Sequence, residues 1–150
     1  MRLESILQTN SPILIEKKLY LNLLVTQNQV SELFLEVLKR YDLSAEQYNV
    51  LRILRGQKNK PATMGLIQER MIAKASNTTR LVDKLIAKEL VIRNKCSINK
   101  RIMEVLLTEK GSELLTQIDP KITEIEQQLA NRLTIDEQEK LNYLLEKYRF

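Results

Sequence analysis

Residues 11–40 set the strongest constraint on this chain: apolar side chains recur there at helical spacing, yet they cover more than one face of the helix they define. Ile13, Leu14, Leu19, Leu23, Leu24, Val30, Leu33, Phe34, Val37 and Leu38 are too widely distributed for the single stripe of a helix resting on one core. Such a helix needs cover on two sides, which a monomer of 150 residues supplies poorly. No apolar run approaches the roughly 18 residues of a membrane span, which argues against a transmembrane protein and a membrane partner. The first residues, MRLESILQTNSP, lack the sustained apolar stretch of a secretory signal, so a cytoplasmic chain is expected.

Beyond residue 40 the chain is punctuated by helix caps. Leu43-Ser44-Ala45-Glu46-Gln47-Tyr48 combines an S-x-x-Q capping box with Leu43 and Tyr48 placed as a hydrophobic staple. The helix it opens runs through Val50, Leu51 and Leu54 and ends near Gly56, before the turn-prone stretch GQKNKPAT. Thr63 caps a short helix over 64–71, and another helix is expected from about Lys74 to Lys88. That helix has an apolar stripe of Thr78, Leu81, Val82 and Leu85 and an opposite stripe of Ser76, Asn77, Arg80 and Lys84. Two β-prone segments, 90–93 and 102–107, flank a polar run and predict a hairpin with a basic tip. Thr108 caps a long helix expected to bend or break at Asp119-Pro120, and the T-x-x-E box at Thr134 opens a last one.

Composition removes whole chemistries. The chain has no His and one Cys, so a Ser-His-Asp triad, a Cys-His pair and a structural zinc site are all excluded. Its three glycines stand alone at Gly56, Gly65 and Gly111, so no Gly-rich loop cradles a phosphate. No cofactor, metal or enzymatic activity is expected.

The formal net charge of +5 is unevenly placed. Between Arg70 and Arg101 nine basic residues face two acidic ones, a net +7, and the rest of the chain sums to −2. A basic block inside a folded domain points to a polyanion. Two helices joined by a tight turn, the second basic on its outer face and followed by a basic hairpin, make a winged helix-turn-helix. In that arrangement the second helix enters the major groove of double-stranded DNA with its N-terminal residues at the base edges. The residues expected there are Lys74, Ser76, Asn77, Thr79, Arg80 and Lys84. Asn can pair with adenine and Arg with guanine, each through two bonds, while Ser76 and Thr79 are short enough for phosphates. At the wing, Lys95, Asn99, Lys100 and Arg101 are expected to lie along the backbone or in the flanking minor groove.

Three stretches, YDLSAEQYNVLRIL, SNTTRLVDKLIAKELVIR and NKRIMEVLLTEKG, resemble the MarR family of bacterial transcription regulators, in order and over roughly residues 30–147. The resemblance implies a mainly α fold with a small β-hairpin wing. It divides one globular unit into an N-terminal dimerisation helix (1–40), a winged helix-turn-helix lobe (41–107) and C-terminal dimerisation helices (108–150). It also implies a homodimer on a pseudo-palindromic operator, acting as a repressor relieved by a small-molecule effector or an oxidant. Two positions depart from the family pattern. Asn99-Lys100-Arg101 replaces the usual Asp-Arg-Arg of the wing, which removes an acid beside the basic side chains. Glu89 stands where Gly commonly follows the recognition helix, so that helix is expected to end without a left-handed cap.

Some features invite other readings. Ser97-Ile98-Asn99-Lys100 fits the S-x-x-K nucleophile motif, but its companion motifs are absent and it falls in the wing tip. Asn77-Thr78-Thr79 is a formal glycosylation sequon that only secretion would make meaningful. Cys96, beside Lys95 and Lys100, is a candidate redox switch, weighed against an incidental loop thiol. Met64, Met71 and Tyr48 read as core residues. The departures at Glu89 and Asn99 keep one alternative function in view, a winged-helix dimer that binds protein and has weak or no DNA affinity.

Overall fold

The computed structural model describes residues 2–96 and 99–149. In chain order it contains α1 (Leu3–Ile6), α2 (Ile15–Lys39), α3 (Ala45–Arg55), β1 (Ala62–Thr63), α4 (Met64–Arg70), α5 (Thr78–Ala87), β2 (Val91–Lys95), β3 (Met103–Leu107), α6 (Glu109–Ala130) and α7 (Ile135–Arg149). Ser97 and Ile98 of the S-x-x-K match lie outside the described residues.

The caps form as their residue types dictate. Ser44 Oγ accepts the Gln47 backbone N–H at 3.2 Å, and Gln47 Oε1 accepts the Ser44 N–H at 3.0 Å. Thr63 and Thr108 hydroxyls accept from Leu66 N–H and Gly111 N–H at 3.2 and 3.0 Å. Each such bond satisfies one of the amides that a helix start leaves without a partner. The apolar face of α3 (Tyr48, Val50, Leu51, Ile53, Leu54) then packs into a single core with Ile67, Met71, Val82, Leu85, Val105 and the α6 residues Leu115, Ile118 and Ile122. Leu43 and Tyr48 are both buried in it, as a staple requires.

Four expectations change. The hairpin becomes a three-stranded antiparallel sheet, ordered β1-β3-β2, because Ala62 and Thr63 pair with Val105 and Glu104. Two residues after a proline are too short to show the alternation that marks a strand. The recognition helix starts at Thr78 instead of near Lys74: Asn77 is its cap, which puts Lys74 and Ser76 in the turn. Its end keeps the left-handed cap despite carrying Glu. Glu89 has φ 62°, with Leu90 N–H bonding Leu85 O at 3.0 Å and Glu89 N–H bonding Ile86 O at 2.8 Å, a complete Schellman motif. Finally, α6 does not break at Asp119-Pro120: the helix continues through Pro120 to Ala130. The chain also opens with a short helix, α1, whose buried Leu3 rests against α2.

Candidate nucleic-acid interface

The recognition helix α5 is held at three points. At its start, Thr78 is buried and its hydroxyl donates to Gln68 Oε1 on α4. Midway, Asp83 Oδ1 pairs with Arg93 on β2 at 2.7 Å. Just past its end, Lys88 pairs with Asp42 in the α2–α3 loop at 2.9 Å and also donates to the Asp42 carbonyl. The turn before the helix is fastened to α3, since Asn49 Oδ1 accepts the Ile72 N–H at 2.9 Å.

These ties leave one face outward. Thr79, Arg80 and Lys84 are exposed on it, and among the described residues neither Arg80 nor Lys84 has an acidic partner within ion-pair distance. Lys74 is exposed in the turn, and its ammonium donates to the Glu69 carbonyl. Ser76 is half-buried, with its N–H on Ala73 O at 3.1 Å. Asn77 is exposed, but its Oδ1 accepts the Arg80 N–H at 3.1 Å. Among the described residues its –NH2 group has no partner, so pairing with adenine through two bonds would require breaking the cap.

The wing carries the rest. Lys95 ends β2 opposite Met103, and Lys95, Asn99, Lys100 and Arg101 are all exposed. Asn99 Oδ1 accepts the Arg101 N–H at 3.1 Å, a bond to the backbone that leaves the basic side chains beside it without the acid usual in the family. Cys96 is half-buried at the base of this turn, its N–H bonded to Ile102 O at 2.9 Å. Among the described residues no cluster of Cys, Asp or Glu could hold a metal ion, and no helix is long and apolar enough to cross a membrane.

Sequence reasoning missed the residues that orient α5. Gln68 and Asn49 each offer a side-chain oxygen to a group brought near only by folding. Asp83 had one legible signal, as an acid inside a basic run.

Comparison with known proteins gives this geometry its relatives. Residues 43–103 match the MarR family. The chain is 31% identical over 125 residues to the HTH-type transcriptional regulator TcaR of Staphylococcus aureus, covering 79% of this chain and 81% of that one. Among solved structures, a putative MarR-like regulator from Bacillus cereus superposes with a TM-score of 0.79 at 25% identity, over 89% of this chain and 95% of that one. A cysteine-to-serine mutant of E. coli MarR, solved in complex with operator DNA, superposes with a TM-score of 0.76 at 27% identity, over 91% and 99%. The fold, the exposed basic helix and wing, and these similarities agree: the chain belongs to the MarR family of winged helix-turn-helix transcriptional regulators.

Proposed function

We propose that this regulator is a cytoplasmic homodimeric repressor that binds a pseudo-palindromic operator through α5 and the wing. The observation that carries the reading is the exposed cationic face of α5, with Arg80 and Lys84 unpaired among the described residues while neighbouring Lys88 and Arg93 are neutralised. Arg80 is the base reader, because its guanidinium can bond guanine O6 and N7 together. Thr79, the turn residues Lys74 and Ser76, and the Asn77 –NH2 meet phosphates or base edges nearby. Lys95, Lys100 and Arg101 follow the flanking backbone, with Arg101 nearest the narrow groove that favours Arg.

The homodimer is supported by an apolar groove of about 870 Å³ between α2 and α7, walled by Leu19, Leu23, Val30, Leu141, Leu144 and Tyr148. A second copy covering it would set two α5 helices about one DNA turn, roughly 34 Å, apart. The relief of repression by a small effector rests on family membership, and the alternative of a DNA-free interaction module has lost its argument from Glu89. The test is selection of bound duplexes from a random pool, followed by affinity measurements. Arg80→Ala should cost about 1–3 kcal/mol and relax preference at one base position. Lys100→Ala should weaken binding to all sequences and lower the slope of log K against log salt by about one. Unchanged affinity in both Arg80→Ala and Arg101→Ala would refute this docking.

A further inference from the structure

The recognition helix has one tie that leaves its own lobe. Thr78 and Asp83 fasten α5 to α4 and β2, both of them lobe elements. Lys88 instead reaches the loop that ends α2, the helix whose apolar side lies open beside α7. Between the last turns of α2 and the far end of α5 runs an open groove of about 650 Å³, lined by Leu35, Lys39, Lys84 and Ala87 among others. Side-chain packing does not close this gap. Among the described residues, the Asp42–Lys88 pair is the one hydrogen-bonded or ionic link between α5 and α2 with its loop.

The loop holds that acid in a fixed place. Leu43 N–H bonds Leu38 O and Asp42 N–H bonds Lys39 O, both at 3.1 Å. The helix α2 therefore ends in a Schellman motif, with Asp42 at its left-handed position, φ 52°. Glycine suits such a position best, and Asp and Asn tolerate it better than other side chains. Packing does not offset the cost of carrying Asp, because the Asp42 side chain is 94% exposed. Its polar contact among the described residues is with Lys88, whose ammonium meets the carboxylate at 2.9 Å and the Asp42 carbonyl as well. Lys88 is the more enclosed of the two, its side chain 29% exposed, so less freedom is lost in holding the pair than between two open surface groups.

We infer that Asp42 and Lys88 are positioning residues for operator recognition: their pair holds α5 at one setting against α2 and so limits which half-site spacings a dimer accepts. The inference rests on the dimeric reading above. The side of α2 that meets α7 is the face a second copy would cover. Any tilt of α5 against α2 is then repeated across the two-fold axis and changes the separation of the two recognition helices. Asp42 is bonded to none of the residues assigned to DNA, so base preference within a single half-site does not depend on it.

The experiment takes two readouts from the full chain. For the first, spin labels are placed at Glu32→Cys on α2 and Thr79→Cys on α5 of one chain, in a Cys96→Ser background diluted with unlabelled protein. The distance distribution should broaden in Asp42→Asn, which keeps the left-handed preference and lacks the charge, and in Lys88→Gln. It should stay narrow in Lys88→Arg. The second readout is the affinity of unlabelled chains for paired half-sites set at the preferred spacing or shifted by one base pair. The ratio between the two should fall about three-fold in Asp42→Asn and in Lys88→Gln, and no further when both are combined. A changed net charge or a lower stability acts on every duplex alike and cancels in that ratio. Ratios equal to wild type, or losses that multiply in the double variant, would overturn the inference. Label distances unchanged in both single variants would overturn it too, while a clear wild-type spacing preference left the dimer intact. A wild type that prefers no spacing would instead sink the dimeric reading, and the claim on spacing with it.

Discussion

Glu89 sits in a backbone conformation that costs a side chain about 1–2 kcal/mol and costs glycine almost nothing. It is kept there by its neighbours: Thr108 Oγ donates to its carbonyl at 2.8 Å, and Lys110 pairs with its carboxylate at 2.7 Å. Lys110 also holds the Glu89 carboxyl below the usual carboxylate range. A depressed folded pKa contributes stability above the unfolded value, and that contribution is lost as pH falls through the folded one. Glu89→Gly should therefore raise stability at pH 7 by about 0.5–1 kcal/mol in urea unfolding. Its margin over the wild type should widen as the pH drops through the carboxylate range, and a constant margin would show that the ion pair adds nothing. Gly111 presents the opposite case. A Cβ there would collide with the Leu90 carbonyl oxygen, which is backbone and cannot yield, and would stand 2.8 Å from the Leu107 side chain. Gly111→Ala should cost about 1–3 kcal/mol, measured in the same titration. Both positions bear on α5 because Glu89 precedes and Gly111 packs against Leu90, which joins α5 to β2, so a shift there moves the recognition helix relative to the wing.

The angle of α5 is an element-scale property that rests on few bonds. Replacing Thr78 by the isosteric Val removes the hydroxyl bond to Gln68 and leaves a partly buried amide oxygen without its donor, at a cost of about 1–2 kcal/mol. The loss should appear in thermal unfolding and in a reduced ratio of operator to random-sequence affinity; stability equal to wild type would mean that packing alone sets the angle. Four helix starts were legible in the sequence because a single good cap stands at each: Ser44 with Gln47, Thr63, Thr108, and Thr134 with Glu137 each lie within four residues of the group they bind. The start of α5 was misjudged because Ser76 and Asn77 are both good caps and the polar stripe continues back to Lys74. The unbroken run of α6 was illegible for a different reason. An interior proline costs about 3 kcal/mol, but Ile118 and Ile122, both buried, each contribute about 1.5–3 kcal/mol. Tertiary burial outweighs the local rule, and only the folded chain shows it. Likewise Arg55 on α3 and Asp119 on α6 form an ion pair across 64 residues of sequence, which no local pattern announces.

At the scale of the whole molecule the chain leaves one apolar side uncovered. The helix α2 has 25 residues and buries only Leu38, while α7 has 15 and buries none. Leu14 and Ile15 are 75% and 73% exposed, and Leu19, Tyr20, Leu24, Leu141, Leu144 and Tyr148 are exposed with them. This is the two-sided apolar character that residues 11–40 already carried: α6 covers one side of α2, and the other meets solvent. An isolated 15-residue helix is marginal in water, so α7 owes its stability to whatever packs against it. If that is a second copy, folding is linked to association, and the thermal midpoint of the wild type must rise with protein concentration. Leu144→Glu places a charge in the groove and should yield a monomer whose midpoint no longer depends on concentration and whose α7 amides lose protection from exchange. Its lobe, whose core lies in α3 to α6, should stay folded, because Leu144 is no part of that core. Binding to a two-half-site operator should then fall much further than binding to a single half-site, since only the dimer engages both at once. A wild-type chain that sediments as one copy, with a midpoint independent of concentration, would leave those apolar faces without a partner and would end the dimer reading.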